Sequence, residues 1–94
     1  TIQRGASDDD MLEMANDVVY GLSASVWTTN LARTLRFTRE LDFGTVWVNQ
    51  QIFTASEMPF GGFRESGYGK ELSGHGLDEY SQFKHVMVKP ELAP

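Results

Sequence analysis

The chain contains no cysteine. Disulfides, thiolate metal sites and a cysteine nucleophile are therefore excluded within it, while the redox compartment stays open. Basic residues are also scarce: eight Lys and Arg face thirteen Asp and Glu, a formal net charge of −5. That balance argues against a surface built to neutralise phosphates or anionic lipid. No apolar run approaches the roughly 18 residues of a membrane span. The opening Thr1-Ile2-Gln3-Arg4 carries neither an initiator Met nor a signal-peptide pattern, and is expected to be that of a fragment or processed chain. Nucleic acid and membrane are accordingly not expected as partners. Against these absences, 40% of the 94 residues are hydrophobic and 12% aromatic, enough for a packed core in one small domain or in part of a larger one.

Ser7 to Asp10 spell S-x-x-D. The Ser hydroxyl can accept from the third helical amide while Asp10 reaches back, so a helix is predicted to begin here. Met11, Leu12, Met14, Ala15 and Val18 supply its apolar stripe, three Asp residues suit the positive end of its dipole, and Gly21 closes it. Leu22 to Trp27 then alternates, with Leu22, Ala24 and Val26 on one side, as a half-buried strand does. Asn30 is placed to cap a second helix in which Leu31, Leu35 and Phe37 or Thr38 face inward, with Arg36 and Arg39 near its C-terminal end. The basic polar face of that helix is read as solvated. Thr45 to Val48 is an uncharged β-branched and aromatic run, the signature of a strand buried on both faces. Helix, strand, helix, strand favours a parallel crossover, one unit of an α/β sheet that cannot cover both its faces alone.

From Gln50 to Gly69 the sequence turns irregular, with Pro59 and four glycines, Gly61, Gly62, Gly67 and Gly69. Such a loop suits close passage along other backbone or a ligand, and Phe53, Phe60, Phe63 and Tyr68 argue that it is ordered. Short helices are expected around Lys70 to Ser73 and Leu77 to Gln82, and Phe83 to Lys89 alternates as a final strand ahead of Pro90.

The glycines fail the phosphate-binding tests. Gly62 to Gly67 has the gap of a P-loop, but Tyr68 stands where Lys must be. A dinucleotide fingerprint built on Gly67 and Gly69 needs a small residue at position 72, which is Leu72, and does not follow a buried strand. Phe60-Gly61-Gly62-Phe63 has no second aromatic strand to make an RNA-binding platform. His75 and His85, with Asp78 and Glu79 between them, match no metal-ligand spacing. Ser66 and Ser73 lie near Glu71 and His75 without a G-x-S-x-G turn, and helix capping accounts for both.

What remains is a set of blocks in order. Ala15-Asn16-Asp17, Tyr20-Gly21-Leu22, Val26-Trp27-Thr28, Gly44 to Asn49, Pro59 to Arg64 and Ser66 to Glu71 together resemble the C-terminal part of the NAD(P)-dependent aldehyde dehydrogenases. Ser56-Glu57-Met58-Pro59, Ser66 to Lys70 and His85 to Val88 are most similar to the aminobutyraldehyde (4-aminobutanal) branch, although Phe60 is the residue of the wider family.

The resemblance implies the C-terminal part of a three-layer α/β/α catalytic domain followed by an oligomerisation strand. Residues 1–63 would end the catalytic domain, 64–82 form a glycine-rich connection, and 83–94 the strand and tail. It implies a cytoplasmic parent enzyme that oxidises a small aldehyde to an acid with NAD or NADP. The nucleophilic Cys, the general base and the dinucleotide site would lie in the remainder of the subunit, so the chain alone is expected to hold no cofactor and to be inactive. The loop 50–60 would form a wall of the aldehyde tunnel, with Phe60 the leading contact and Gln50, Phe53 and Thr54 beside it. Phe53 and Phe60 also suit anchoring of the loop to the core. Glu57 is read either as a partner for a substrate ammonium or as an exposed loop carboxylate. Glu71 is read as assisting the active site, or as holding a structural ion pair or helix position. The carbonyls of Arg64 and Gly67 resemble a monovalent-cation site, and Phe83 to Lys89 a strand added to a neighbouring subunit in a homo-oligomer. The alternative is a noncatalytic assembly module of the same fold.

Overall fold

Ser7 starts the first helix as its sequence predicts. In the computed structural model, which describes residues 1–91, the Ser7 hydroxyl accepts the Asp10 N–H at 3.2 Å, and the Asp10 carboxylate accepts the N–H of Ala6 at 2.9 Å. Helix α1 spans Asp8–Asn16. It stops short of Val18 because the Asn16 amide turns to the end of the second helix, donating to the Glu40 carbonyl and accepting the Asp42 N–H, both at 2.9 Å. The chain is thereby released into a two-residue strand β1 (Tyr20–Gly21) rather than closing at Gly21.

Strand β2 (Ser23–Val26) leads into helix α2 (Leu31–Glu40), capped by the Asn30 side chain, which accepts the Arg33 N–H at 2.9 Å. Strand β3 (Thr45–Val48) returns parallel to β2, with Ser23 opposite Thr45 and Val26 opposite Val48. This is the predicted crossover and an α/β fold. Ala24 and Val26 of β2 and Val46 of β3 meet Leu12, Phe37 and Leu41 from the helical side. By the two-residue alternation of a strand, Trp47 points to the opposite face, where it too is buried.

Helix α2 is rotated relative to the expectation. Leu31 and Leu35 are 71% and 61% exposed, whereas Phe37 is buried. Residues 33, 36 and 37 share one face of a helix and residues 31 and 35 another, so the two sets cannot both face inward. The inner face is the one that seats Phe37 among Leu12, Val26 and Leu41, and at its edge Arg33 and Arg36 reach across to α1. Arg33 pairs with Asp8 at 2.9 Å, and Arg36 pairs with Asp9 and, at 3.2 Å, with Glu40. The hydrogen bond to Asp9 raises the pKa of the Arg36 guanidinium. The basic face is solvated as expected, with Arg33, Arg36 and Arg39 keeping 42%, 36% and 76% of their side chains exposed, and two of the three also pair with α1.

Strand β4 (Phe63–Arg64) pairs antiparallel with β1. Here main chain lies against main chain: a Cβ on Gly44 would sit 1.7 Å from the Gly61 carbonyl oxygen, so only glycine fits. The helix expected at Lys70 to Ser73 is absent. Glu71 forms a bridge instead, and one helix, α3 (Ser73–Glu79), replaces the two short ones.

Phe83 to Lys89 forms no ladder within the chain. Phe83, Val86, Met87 and Val88 are all exposed, Phe83 completely. The alternation is that of a strand, but a strand exists only through hydrogen bonds to a neighbour, and none is present among the described residues. Positions 92–94 of the expected tail lie outside the described residues. The radius of gyration is 20.5 Å, against about 13 Å for a compact domain of roughly 100 residues.

Candidate functional site

The end of β3 is fixed before the loop begins. Asn49, at φ 55°, accepts the Thr28 N–H at 2.8 Å and donates to the Thr28 carbonyl at 2.9 Å. An Asn side chain tolerates this left-handed conformation and extends the sheet's bonding by one residue. Beyond it, residues 50–60 pass over the sheet face opposite the helices. The Trp47 indole N–H donates to the Phe53 carbonyl at 2.8 Å. The Ser73 N–H donates to the Ser56 carbonyl at 2.8 Å, and Phe60 and Glu71 exchange backbone bonds of 2.9 and 2.7 Å.

Between loop and sheet lies a cavity of about 370 Å³, lined by Trp47, Phe53, Thr54, Met58, Phe60 and Leu72 together with neighbouring backbone. Three of the expected contact residues, Phe53, Thr54 and Phe60, therefore share one concave and largely apolar surface. Such a surface orients a small ligand mainly through shape. Gln50 and Glu57 do not line it; both are exposed.

A second cavity, of about 430 Å³, lies on the other side of the Phe60–Glu71 bridge and is bounded by Tyr68, Lys70, Glu71, Glu79, Tyr80 and the glycines. Lys70 donates to the Gly62 carbonyl at 3.2 Å and sits 5.1 Å from the centre of the Phe63 ring. Glu71 joins this site through its backbone. Among the described residues its carboxylate makes no ion pair and it belongs to no helix. The Arg64 carbonyl accepts the Gly67 N–H at 3.2 Å, so one of the two carbonyls expected at a cation site is engaged in a turn. Among the described residues no cluster of His, Asp and Glu is arranged to hold a metal ion.

Two positioning features were not singled out from the sequence. The Arg64 guanidinium donates to the carbonyls of Asn16, Tyr20 and Asp42 at 3.2, 2.7 and 3.1 Å, and pairs with the Asp42 carboxylate at 2.9 Å. Nothing in the local pattern around Arg64 signals contacts to three separate segments. The other is the Trp47 indole. Its signal was available, since alternation sets Trp47 on the face away from Val46 and a buried indole N–H requires an acceptor.

A model of the aldehyde dehydrogenase family matches residues 1–86. The chain belongs to that family. It is 38% identical over 86 residues to betaine aldehyde dehydrogenase of Bacillus subtilis (strain 168), covering 92% of this chain and 18% of the relative. It is 43% identical over 88 residues to aldehyde dehydrogenase 1A1 of Rattus norvegicus, covering 94% of this chain and 18% of the relative. Among solved structures it matches the NAD-dependent aldehyde dehydrogenase from Sinorhizobium meliloti with a TM-score of 0.81 and 45% identity, over 94% of this chain and 18% of the other. It also matches the P. syringae indole-3-acetaldehyde dehydrogenase AldA in complex with NAD+ and IAA, with a TM-score of 0.79 and 42% identity, over 83% of this chain and 16% of the other. This aldehyde dehydrogenase segment thus spans less than a fifth of the length of these relatives. The family's α/β fold is present in it as the β2–α2–β3 crossover, and both cavities adjoin the loop that follows that crossover.

Proposed function

We propose that this chain serves as the C-terminal segment of an aldehyde dehydrogenase subunit that oxidises an aldehyde to a carboxylic acid with NAD or NADP. Its own contribution is the wall of the substrate tunnel. The observation that carries this reading is the cavity joining Phe53, Thr54 and Phe60 over the Trp47 face of a crossover sheet, in a chain that belongs to this family. Phe60, set by its backbone bridge to Glu71, presents apolar surface that orients the carbonyl compound and excludes water. With no cysteine in the chain, the nucleophile comes from elsewhere in the subunit. Gly67-Tyr68-Gly69 leads into the Glu71 bridge and Leu72 rather than from a buried strand into a helix, so these residues do not fit a dinucleotide, and the cofactor belongs to the remainder as well.

Within this reading the substrate is an aminoaldehyde, on the strength of the Ser56-Glu57-Met58-Pro59 pattern. Glu57 is an exposed carboxylate next to the cavity-lining Met58, where it can meet a substrate ammonium at the cavity's edge. Glu71 and Gly67 line the second, more polar cavity, and the carbonyls of Arg64 and Gly67 are offered to a monovalent cation. The exposed apolar run of Phe83, Val86, Met87 and Val88 favours a role in assembly as well, by strand addition to a second subunit.

The test is the complete subunit with and without Phe60→Ala, followed by the absorbance of reduced nicotinamide across amino-substituted and plain aldehydes. The substitution is expected to raise KM by about tenfold or more, the effect of losing a large apolar contact of roughly 1.5–3 kcal/mol. Equal KM values for wild type and variant contradict the tunnel role. Turnover by the purified 94-residue chain contradicts the reading as a whole.

A further inference from the structure

We infer that Trp47 is a positioning residue that sets which aldehydes the cavity accepts, acting through the Phe53 carbonyl. This rests on the reading of residues 50–60 as a tunnel wall.

Trp47 is 7% exposed, and its indole nitrogen is a donor with no acceptor capacity. Its partner is the Phe53 carbonyl at 2.8 Å, so a side chain on the cavity floor holds the backbone of the cavity wall. The residue just before Phe53 shows why that hold matters. Ile52 has φ 55°, a conformation that is an outlier for a β-branched side chain and persists only where its surroundings over-determine it. Ile52 is itself 78% exposed, so packing of its own side chain does not impose the strain. Asn49 adopts the same φ, but its side chain is locked to Thr28. For Ile52 the restraint comes from the next residue, whose carbonyl the indole holds.

A second anchor lies on the far side. Leu72 and Ser73 also have positive φ, at 61° and 52°, and the Ser73 N–H holds the Ser56 carbonyl at 2.8 Å. Phe53 and Thr54 are thus suspended between an indole and a strained turn. Both side chains are exposed, so their placement follows from backbone anchoring rather than from burial. Removing the indole donor lets Ile52 relax to negative φ and swings Phe53 and Thr54 relative to Phe60, whose own bridge to Glu71 is independent of Trp47. The cavity then changes shape on one side only, which alters the fit of short and long aldehydes unequally.

The experiment uses Trp47→Phe, which keeps an aromatic ring and removes the N–H, in the complete subunit with a series of linear aldehydes. The expected result is a KM raised roughly tenfold for short aldehydes and less for long ones, with kcat lowered by a smaller factor. Adding Ile52→Gly, which occupies positive φ without strain, is expected to return the KM pattern most of the way to wild type. Unchanged KM values, or a uniform loss that Ile52→Gly does not relieve, overturn the inference. A readout on the wild-type complete subunit keeps it decidable if the variant fails to fold. Hydrogen exchange of the Trp47 indole proton is expected to be slow against that of free tryptophan. Equal exchange overturns the anchor. A wild-type subunit that oxidises no aldehyde defeats the tunnel reading, while the indole exchange still decides the anchor by itself.

Discussion

Residues 1–49 and residues 81–91 carry similar kinds of apolar side chain and have opposite fates. In the first region Leu12, Val26, Phe37 and Leu41 close on one another, and Arg33 and Arg36 cross-link the two helices beside them. In the second, Phe83, Val86, Met87 and Val88 all stay exposed. The difference lies in sequence distance and periodicity. A helix–strand–helix–strand run brings its own partner back within some twenty residues, as β3 returns to β2. The run at 83–89 pairs with no edge among the described residues and forms a ladder only where an edge is supplied.

The sharpest way to break this contrast is to empty the closed region. Phe37→Ala is expected to cost about 3–5 kcal/mol and to abolish the cooperative urea transition followed by circular dichroism. A retained transition with little shift would show that the helices do not depend on that cluster. Arg64→Met should have a smaller effect. It removes charge-assisted bonds to three carbonyls while keeping much of the apolar stem, and a loss of about 2 kcal/mol is expected, read as a lower urea midpoint. The smallest effect belongs to the open region. Phe83→Ser with Val88→Ser is expected to change the chain's own stability by less than about 0.5 kcal/mol, yet to reduce its self-association in light scattering. A large fall in stability would place the tail inside the folded unit after all.

The first region was largely legible because its signals are local. Ser7 and Asn30 cap the helices they precede, and the uncharged Thr45–Val48 run is the strand observed. The rotation of α2 is not legible because Leu31 and Leu35 outrank arginine on any hydropathy scale, while the inner face is the one that seats Phe37 against Leu12 and Val26, residues of other elements. The cavity was half legible. Phe53, Thr54 and Phe60 came together, whereas Gln50 and Glu57 stayed outside it, since which loop residues face inward depends on the Trp47 and Ser73 anchors rather than on residue type. The bridge at Glu71 was hidden for the same reason: a single pair of backbone bonds leaves no periodic trace in a sequence.

Gly44 and Gly61 are in main-chain contact. Because backbone meets backbone there, the loop's far end sits as close to the sheet as main chain allows. A single methyl group at position 44 would drive the two segments apart and widen the cavity that Gly44 itself lines.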